Sequence, residues 1–131
     1  MRVLLLEDDN LLSDLLNDHL LDKGFDVTLC LNGQDALEYL IDEKFDLALL
    51  DINTPIISGL EVLKTIREEY KNKTPVIILT AYQDTKHLKD SFENGVDDYI
   101  KKPFDLEELD QRIQRLCRQF SIEQNNNIQI T

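Results

Sequence analysis

The sequence has few cysteines, little basic charge and no long apolar run, and each shortage removes a class of protein. Its two cysteines, Cys30 and Cys117, lie far apart, and neither has a second cysteine nearby. That is neither a zinc pattern nor a disulfide framework, and it points to a reducing cytoplasm. Lysine and arginine number 14 against 26 aspartates and glutamates, for a net charge of −12. A surface of that sign repels phosphodiester backbones and anionic membranes, which argues against a broad nucleic-acid footprint or a lipid surface as partner. No apolar stretch approaches the roughly 18 residues that a bilayer span needs. The opening MRVLLL looks like a short leader, but its apolar run stops at Glu7-Asp8-Asp9 without a small-residue cleavage site, so it reads as a strand. What is present is a chain of 131 residues, 42% hydrophobic and 31% charged, enough to fill one core and cover it.

Three short runs, Val3 to Leu6, Leu47 to Leu50 and Val76 to Leu79, are apolar without alternation. Strands covered on both faces of a parallel sheet look like this. Asp26 to Cys30 and Asp98 to Ile100 read as a weaker and a shorter strand. Helical spacing links Leu11, Leu12, Leu15, Leu16 and Leu20, with Gly24 after them as a cap. It returns at Ala36, Leu37, Leu40 and Ile41, at Leu60, Leu63 and Ile66, and at Leu88 and Phe92 before Gly95. The last helix carries Leu106, Leu109, Ile113, Leu116 and Phe120, with Asp105 as its cap. Strand and helix thus alternate five times, which implies right-handed crossovers and helices on both sides of one sheet. The expected fold is α/β, a doubly wound five-stranded parallel (βα)5 domain over residues 1–120. Residues 121–131, SIEQNNNIQIT, lack a packing period and read as a linker toward a C-terminal output domain outside this sequence.

Open parallel sheets bind ligands beyond the carboxyl ends of their strands. There the sequence places Glu7, Asp8 and Asp9 after the first strand, and Asp51 with Asn53 and Thr54 after the third. Thr80-Ala81 follow the fourth strand, and Lys101-Lys102-Pro103-Phe104 the fifth. Taken singly, each has an ordinary reading: Asp9 or Asn10 as a helix cap, Thr80 as a turn residue. Together, at the ends of four strands in one fold, they read as a site. Clustered carboxylates repel unless a cation holds them, and a set of oxygen ligands without cysteine or histidine suits Mg²⁺. A carboxylate beside Mg²⁺ and a lysine is a plausible acceptor of a phosphoryl group.

The runs LLLEDDN, DLALLDINTPIISG, PVIILTA and GVDDYIKKPF, in order and correctly spaced over about residues 1–119, resemble the receiver domain of two-component response regulators, a flavodoxin-like fold. The resemblance implies that Asp51 is the phosphoacceptor. It implies that Asp8 binds Mg²⁺ directly and Glu7 through water, with Asp51 and the main-chain carbonyl of Asn53 as further ligands. Lys102 and Thr80 would contact the phosphoryl group, Tyr99 would be the aromatic switch residue, and Lys102-Pro103 a cis peptide. Thr54 stands where the family has a larger apolar residue, and Ser58 where Asp is common before Gly59. Asn53 and Tyr82 occupy positions that in the family influence dephosphorylation. His19, His87 and both cysteines read as surface or packing residues without a role.

The run FDLEELDQRIQRLCRQF resembles the final helix of winged-helix transcriptional regulators of the OmpR/PhoB type. That group dimerises on activation through the helix before Gly95, the fifth strand and the last helix. The matching acids are Asp97, Asp98 and Glu108. Arg115 and Arg112 are the basic partners of the first two, and Phe92 is the apolar centre. The usual base facing Glu108 falls at Leu88, which leaves Lys86 or Lys89 to replace it. The implied partners are a sensor histidine kinase, a second copy of the chain, and DNA only through the output domain. A stand-alone receiver that acts by docking on another protein is the alternative. A haloacid-dehalogenase phosphatase is disfavoured, because its second motif aspartate is Asn53 here and has no proton to give. A flavin-binding relative is disfavoured because no Gly-rich or Ser/Thr-rich loop follows the first strand. The expected reaction is therefore stoichiometric phosphotransfer and hydrolysis rather than turnover of many substrates.

Overall fold

A computed structural model describes residues 1–81, 89 and 93–130, with side chains as far as Phe120. Among them run β1 (Arg2–Leu6), α1 (Asn10–Asp22), β2 (Asp26–Cys30), α2 (Gly33–Asp42), β3 (Leu47–Asp51), α3 (Gly59–Glu68), β4 (Val76–Ala81), β5 (Asp98–Lys102) and α4 (Leu106–Ile130). The strands form one parallel five-stranded sheet in the order β2-β1-β3-β4-β5. This is the doubly wound α/β architecture that the alternation of runs anticipates. The helix expected around Leu88 and Phe92 lies largely outside the described residues, and Phe92, Tyr82, Lys86 and His87 lie outside them entirely. α4 continues as helix to Ile130, past the point where the sequence pattern suggests a linker.

Each unalternating run serves two cores. Leu4, Leu6, Ala48, Leu50, Val76 and Ile78 pack with Ala36 and Leu40 of α2 and Val62, Leu63 and Ile66 of α3. Their neighbours Val3, Leu5, Leu47, Leu49, Ile77 and Leu79 pack with Leu16 and Leu20 of α1 and Leu109, Ile113 and Leu116 of α4. Side chains alternate along a strand, so a strand with helices above and below must be apolar at every position. Each fully buried leucine or isoleucine contributes about 1.5–3 kcal/mol, which makes the sheet the rigid base of the molecule.

The helix starts are capped as the sequence suggests. Asp9 accepts from the Leu12 N–H at 3.1 Å and Asp105 from the Glu108 N–H at 2.8 Å. Ser58, the departure before Gly59, accepts from the Glu61 N–H at 3.2 Å, so it does the capping work of an aspartate. Thr54 donates its hydroxyl to the Ile57 carbonyl at 2.9 Å and closes the β3–α3 loop from within. That loop is held from two sides by glycines. A Cβ on Gly59 would lie 2.0 Å from the Asp51 carbonyl oxygen, and one on Gly33 would lie 1.8 Å from that of Ile57. Inside the loop Ile56 adopts a left-handed backbone (φ 72°), rare for a β-branched residue, with its side chain exposed.

Candidate functional site

Register decides which side chains meet. Leu6 pairs with Leu50 and Asp51 with Leu79, so Glu7, Asp51 and Thr80 emerge side by side where β1, β3 and β4 end. Ala81 pairs with Lys102, which brings the β5 lysine to the same rim. The strand order reverses around β1 and β3, the place where open α/β sheets form a crevice. Four of the sequence candidates are therefore neighbours because of strand pairing alone.

Asp51 is 5% exposed, Thr80 4% and Glu7 fully buried. One oxygen from each of Glu7, Asp8 and Asp51 lies within 4.8 Å of the others. The Lys102 ammonium donates to Glu7 Oε1 at 2.5 Å and stands 3.4 Å from Asp51 Oδ2. The Asp9 N–H donates to Glu7 Oε2 at 3.3 Å, and the Asn53 N–H to Asp51 Oδ1 at 3.2 Å. Burial pushes the Asp51 pKa up to about 7, helped by a hydrogen bond and charge from Glu7. Lys102 and the Asn53 N–H pull it down, but by less. Burial alone would lower the Lys102 pKa, but the Glu7 hydrogen bond and the two carboxylate charges outweigh it, so it is raised. A site whose central carboxylate, Asp51, resists ionisation while its lysine holds its proton is short of positive charge. Its donors are hard oxygens, so the residues present fit Mg²⁺.

The structure brings together Glu7, Asp8, Asp51, Thr80 and Lys102, with Asn53 at the edge. The Thr80 hydroxyl donates to the Ala81 carbonyl at 2.9 Å, and Lys102-Pro103 is cis. Tyr99 packs partly buried against the core beside α2 and α3. The Glu7 carboxylate is fully buried and bound to Lys102.

The acids of the expected dimer face are engaged within the chain. Asp97 Oδ2 accepts from the Val76 N–H at 2.8 Å and pairs with Arg67 at 3.3 Å. Arg67 also donates to the carbonyls of Gly95 and Asn72, so it clamps the end of α3 to the segment entering β5. Asp98 pairs with Arg112 at 2.9 Å, and Arg112 lies 3.7 Å from Glu108. Arg115 is exposed. His19, read as a bare surface residue, is instead bonded to Asp110 of α4 at 2.8 Å. Neither Arg67 nor His19 carries a local signal, because their partners are 30 and 91 residues away. Burial pushes the Cys30 thiol up to about 12 and raises that of Cys117, as expected of packing residues.

Comparison with known proteins agrees with this geometry. Residues 3–114 match the response regulator receiver domain family. The transcriptional regulatory protein CrdR of Helicobacter pylori is 44% identical over 127 residues, which cover 97% of this chain and 60% of that protein. This chain therefore spans little more than half the length of that curated relative. The response regulator TrrA of Thermotoga maritima, solved in complex with Mg(2+)-BeF, aligns with a TM-score of 0.78 at 34% identity, over 88% of this chain and 97% of its own. The receiver domain of a sensor histidine kinase from Pseudomonas aeruginosa PAO1, solved with a magnesium ion coordinated in its active site cleft, gives 0.79 at 29% identity, over 88% and 95%. The family match runs through all five strands and every residue of the acidic site, and so the chain belongs to the response regulator receiver domains.

Proposed function

We propose that this receiver domain accepts a phosphoryl group on Asp51 from the phosphohistidine of a sensor kinase, and so switches an output. The observation that carries the reading is the placement of Asp51. It is a buried carboxylate at the end of a central strand, 3.4 Å from an ammonium and within 4.8 Å of the acidic oxygens of Glu7 and Asp8. Asp51 attacks phosphorus as the donor's N–P bond breaks, and the Lys102 ammonium balances charge on the transferring oxygens. Asp8, Asp51 and the Asn53 carbonyl, with Glu7 behind them, would hold Mg²⁺, which when bound neutralises the phosphoryl oxygens further. The Thr80 hydroxyl gives up the Ala81 carbonyl to bond the new phosphoryl group. That shift, together with Tyr99, biases the surface of β5 and α4 toward a symmetric dimer. The output is transcription, through a DNA-binding domain of the OmpR/PhoB type, in the cytoplasm. The relationship to CrdR and the dimer-face charges support this over stand-alone docking.

Incubation with phosphoramidate and Mg²⁺ should add one phosphoryl group, read by intact mass. Asp51→Asn should abolish it, because an amide has no nucleophilic oxygen pair. Labelling of that variant at a similar yield would overturn the assignment.

A further inference from the structure

The β3–α3 loop carries a backbone outlier that packing does not account for. Ile56 holds φ 72° with its side chain exposed, and the Ile57 N–H donates to the Pro55 carbonyl at 2.9 Å. A three-residue hydrogen bond across a positive φ is the rare, strained form of the γ-turn, and such strain persists only where neighbouring groups hold it. Here a single side chain reaches across the turn: Thr54 donates its hydroxyl to the Ile57 carbonyl at 2.9 Å. On its other side the Ile57 oxygen presses on Gly33, so closely that a Cβ there would fall 1.8 Å from it. It accepts from no other described residue, so among them Thr54 Oγ1 is its hydrogen-bond partner.

Thr54 directly follows Asn53, whose main-chain carbonyl would be a Mg²⁺ ligand. That carbonyl and the Thr54 N–H share one rigid peptide plane. The plane before it is tethered by the Asn53 N–H, which donates to Asp51 Oδ1 at 3.2 Å. The plane itself has no such tether, because the Asn53 carbonyl accepts no hydrogen bond from a described residue. Its orientation therefore depends on how firmly Thr54 is held. We infer that Thr54 is a positioning residue for the metal site: its hydroxyl locks the γ-turn at Ile56 and so fixes the Asn53 carbonyl as a ligand. The inference rests on the reading of Asp8, Asp51 and Asn53 as the metal ligands, and adds a residue that touches neither the metal nor the phosphoryl group. An apolar side chain at this place could fill the loop but could not donate. A ligand fixed in advance costs less to order when the metal binds, so Thr54 acts on metal affinity and not on the chemistry at Asp51.

The test is a Mg²⁺ titration of the whole unphosphorylated chain, followed by amide chemical shifts, for the parent, Thr54→Val and Thr54→Ser. Valine keeps the branched shape and loses the donor, whereas serine keeps the donor. Thr54→Val should weaken Mg²⁺ binding by about three- to tenfold, the range that loss of one hydrogen bond covers, and Thr54→Ser should stay within about twofold of the parent. With phosphoramidate, Thr54→Val should need correspondingly more Mg²⁺ for half-maximal labelling and reach the parental rate at saturation. A merely structural hydroxyl would lower the metal-free melting temperature and leave the Mg²⁺ affinity unchanged. That result, with Asp51 still labelled, would overturn the inference and leave the reading of the site standing. Serine as weak as valine would overturn it too, since the hydroxyl would not be the cause. A parent chain that neither binds Mg²⁺ nor labels would overturn the reading of the site and the inference with it.

Discussion

Asp51 is a carboxylate held where water barely reaches it, and its protonation couples the site to folding. In the unfolded chain it ionises near its ordinary value of 3.8, but in the folded metal-free protein only at about 7. Between those values the folded state keeps a proton that the unfolded state has released. The folded state is therefore penalised as pH rises through that window, and the penalty is complete above it. Asp51→Asn lacks the penalty. Without metal it should melt above the parent at pH 8, by on the order of 2 kcal/mol, with the margin shrinking toward pH 4. Thermal scans at both pH values read this, and millimolar Mg²⁺ should narrow the gap by stabilising the parent alone. An equal margin at both pH values would mean that the strain at Asp51 is steric and not electrostatic.

The β3–α3 loop is where element-level design is tightest. Gly59 lets α3 begin against the backbone of Asp51, where a methyl group would meet the carbonyl oxygen at 2.0 Å. Gly59→Ala should cost about 2–3 kcal/mol in urea melts and slow labelling, because α3 or the end of β3 must move. Ile56 is the opposite case. Its left-handed backbone and exposed side chain bring strain without visible packing, so Ile56→Gly should stabilise the fold by roughly 1 kcal/mol in the same assay. Strands and caps were legible because they obey local rules: a two-sided sheet needs unbroken apolar runs, and Asp9 and Asp105 precede helices at capping positions. The strained backbone at Ile56 and the close approach at Gly33 were not, since nothing in a window around either residue records which backbone passes nearby.

Across the whole molecule, the acidic rim was legible because strand ends in a parallel sheet converge by topology. The ion pairs that tie distant elements were not. Arg67 to Asp97 and His19 to Asp110 depend on which elements share a face of the sheet and in what register. This changes how the dimer proposal is tested. Asp97 already serves Arg67 and the Val76 N–H, so replacing it would damage the fold as well as an interface. Arg115, exposed on α4, is the cleaner probe. Arg115→Glu should weaken dimerisation of the phosphorylated chain several-fold in sedimentation while Asp51 still labels. The effect should be modest, because exposed pairs contribute only about 0–1 kcal/mol each. A phosphorylated chain that stays monomeric at high micromolar concentration would favour the stand-alone reading. The sheet order also dictates when the site comes into being as the chain is made. Glu7 and Asp51 emerge early, on strands that pair with each other, but the ammonium between them belongs to the last strand. Until β5 has left the ribosome and docked beside β4, the acids lack the Lys102 ammonium. A nascent chain therefore carries an acidic rim without its lysine, and docking of the final strand is the step that completes the cluster.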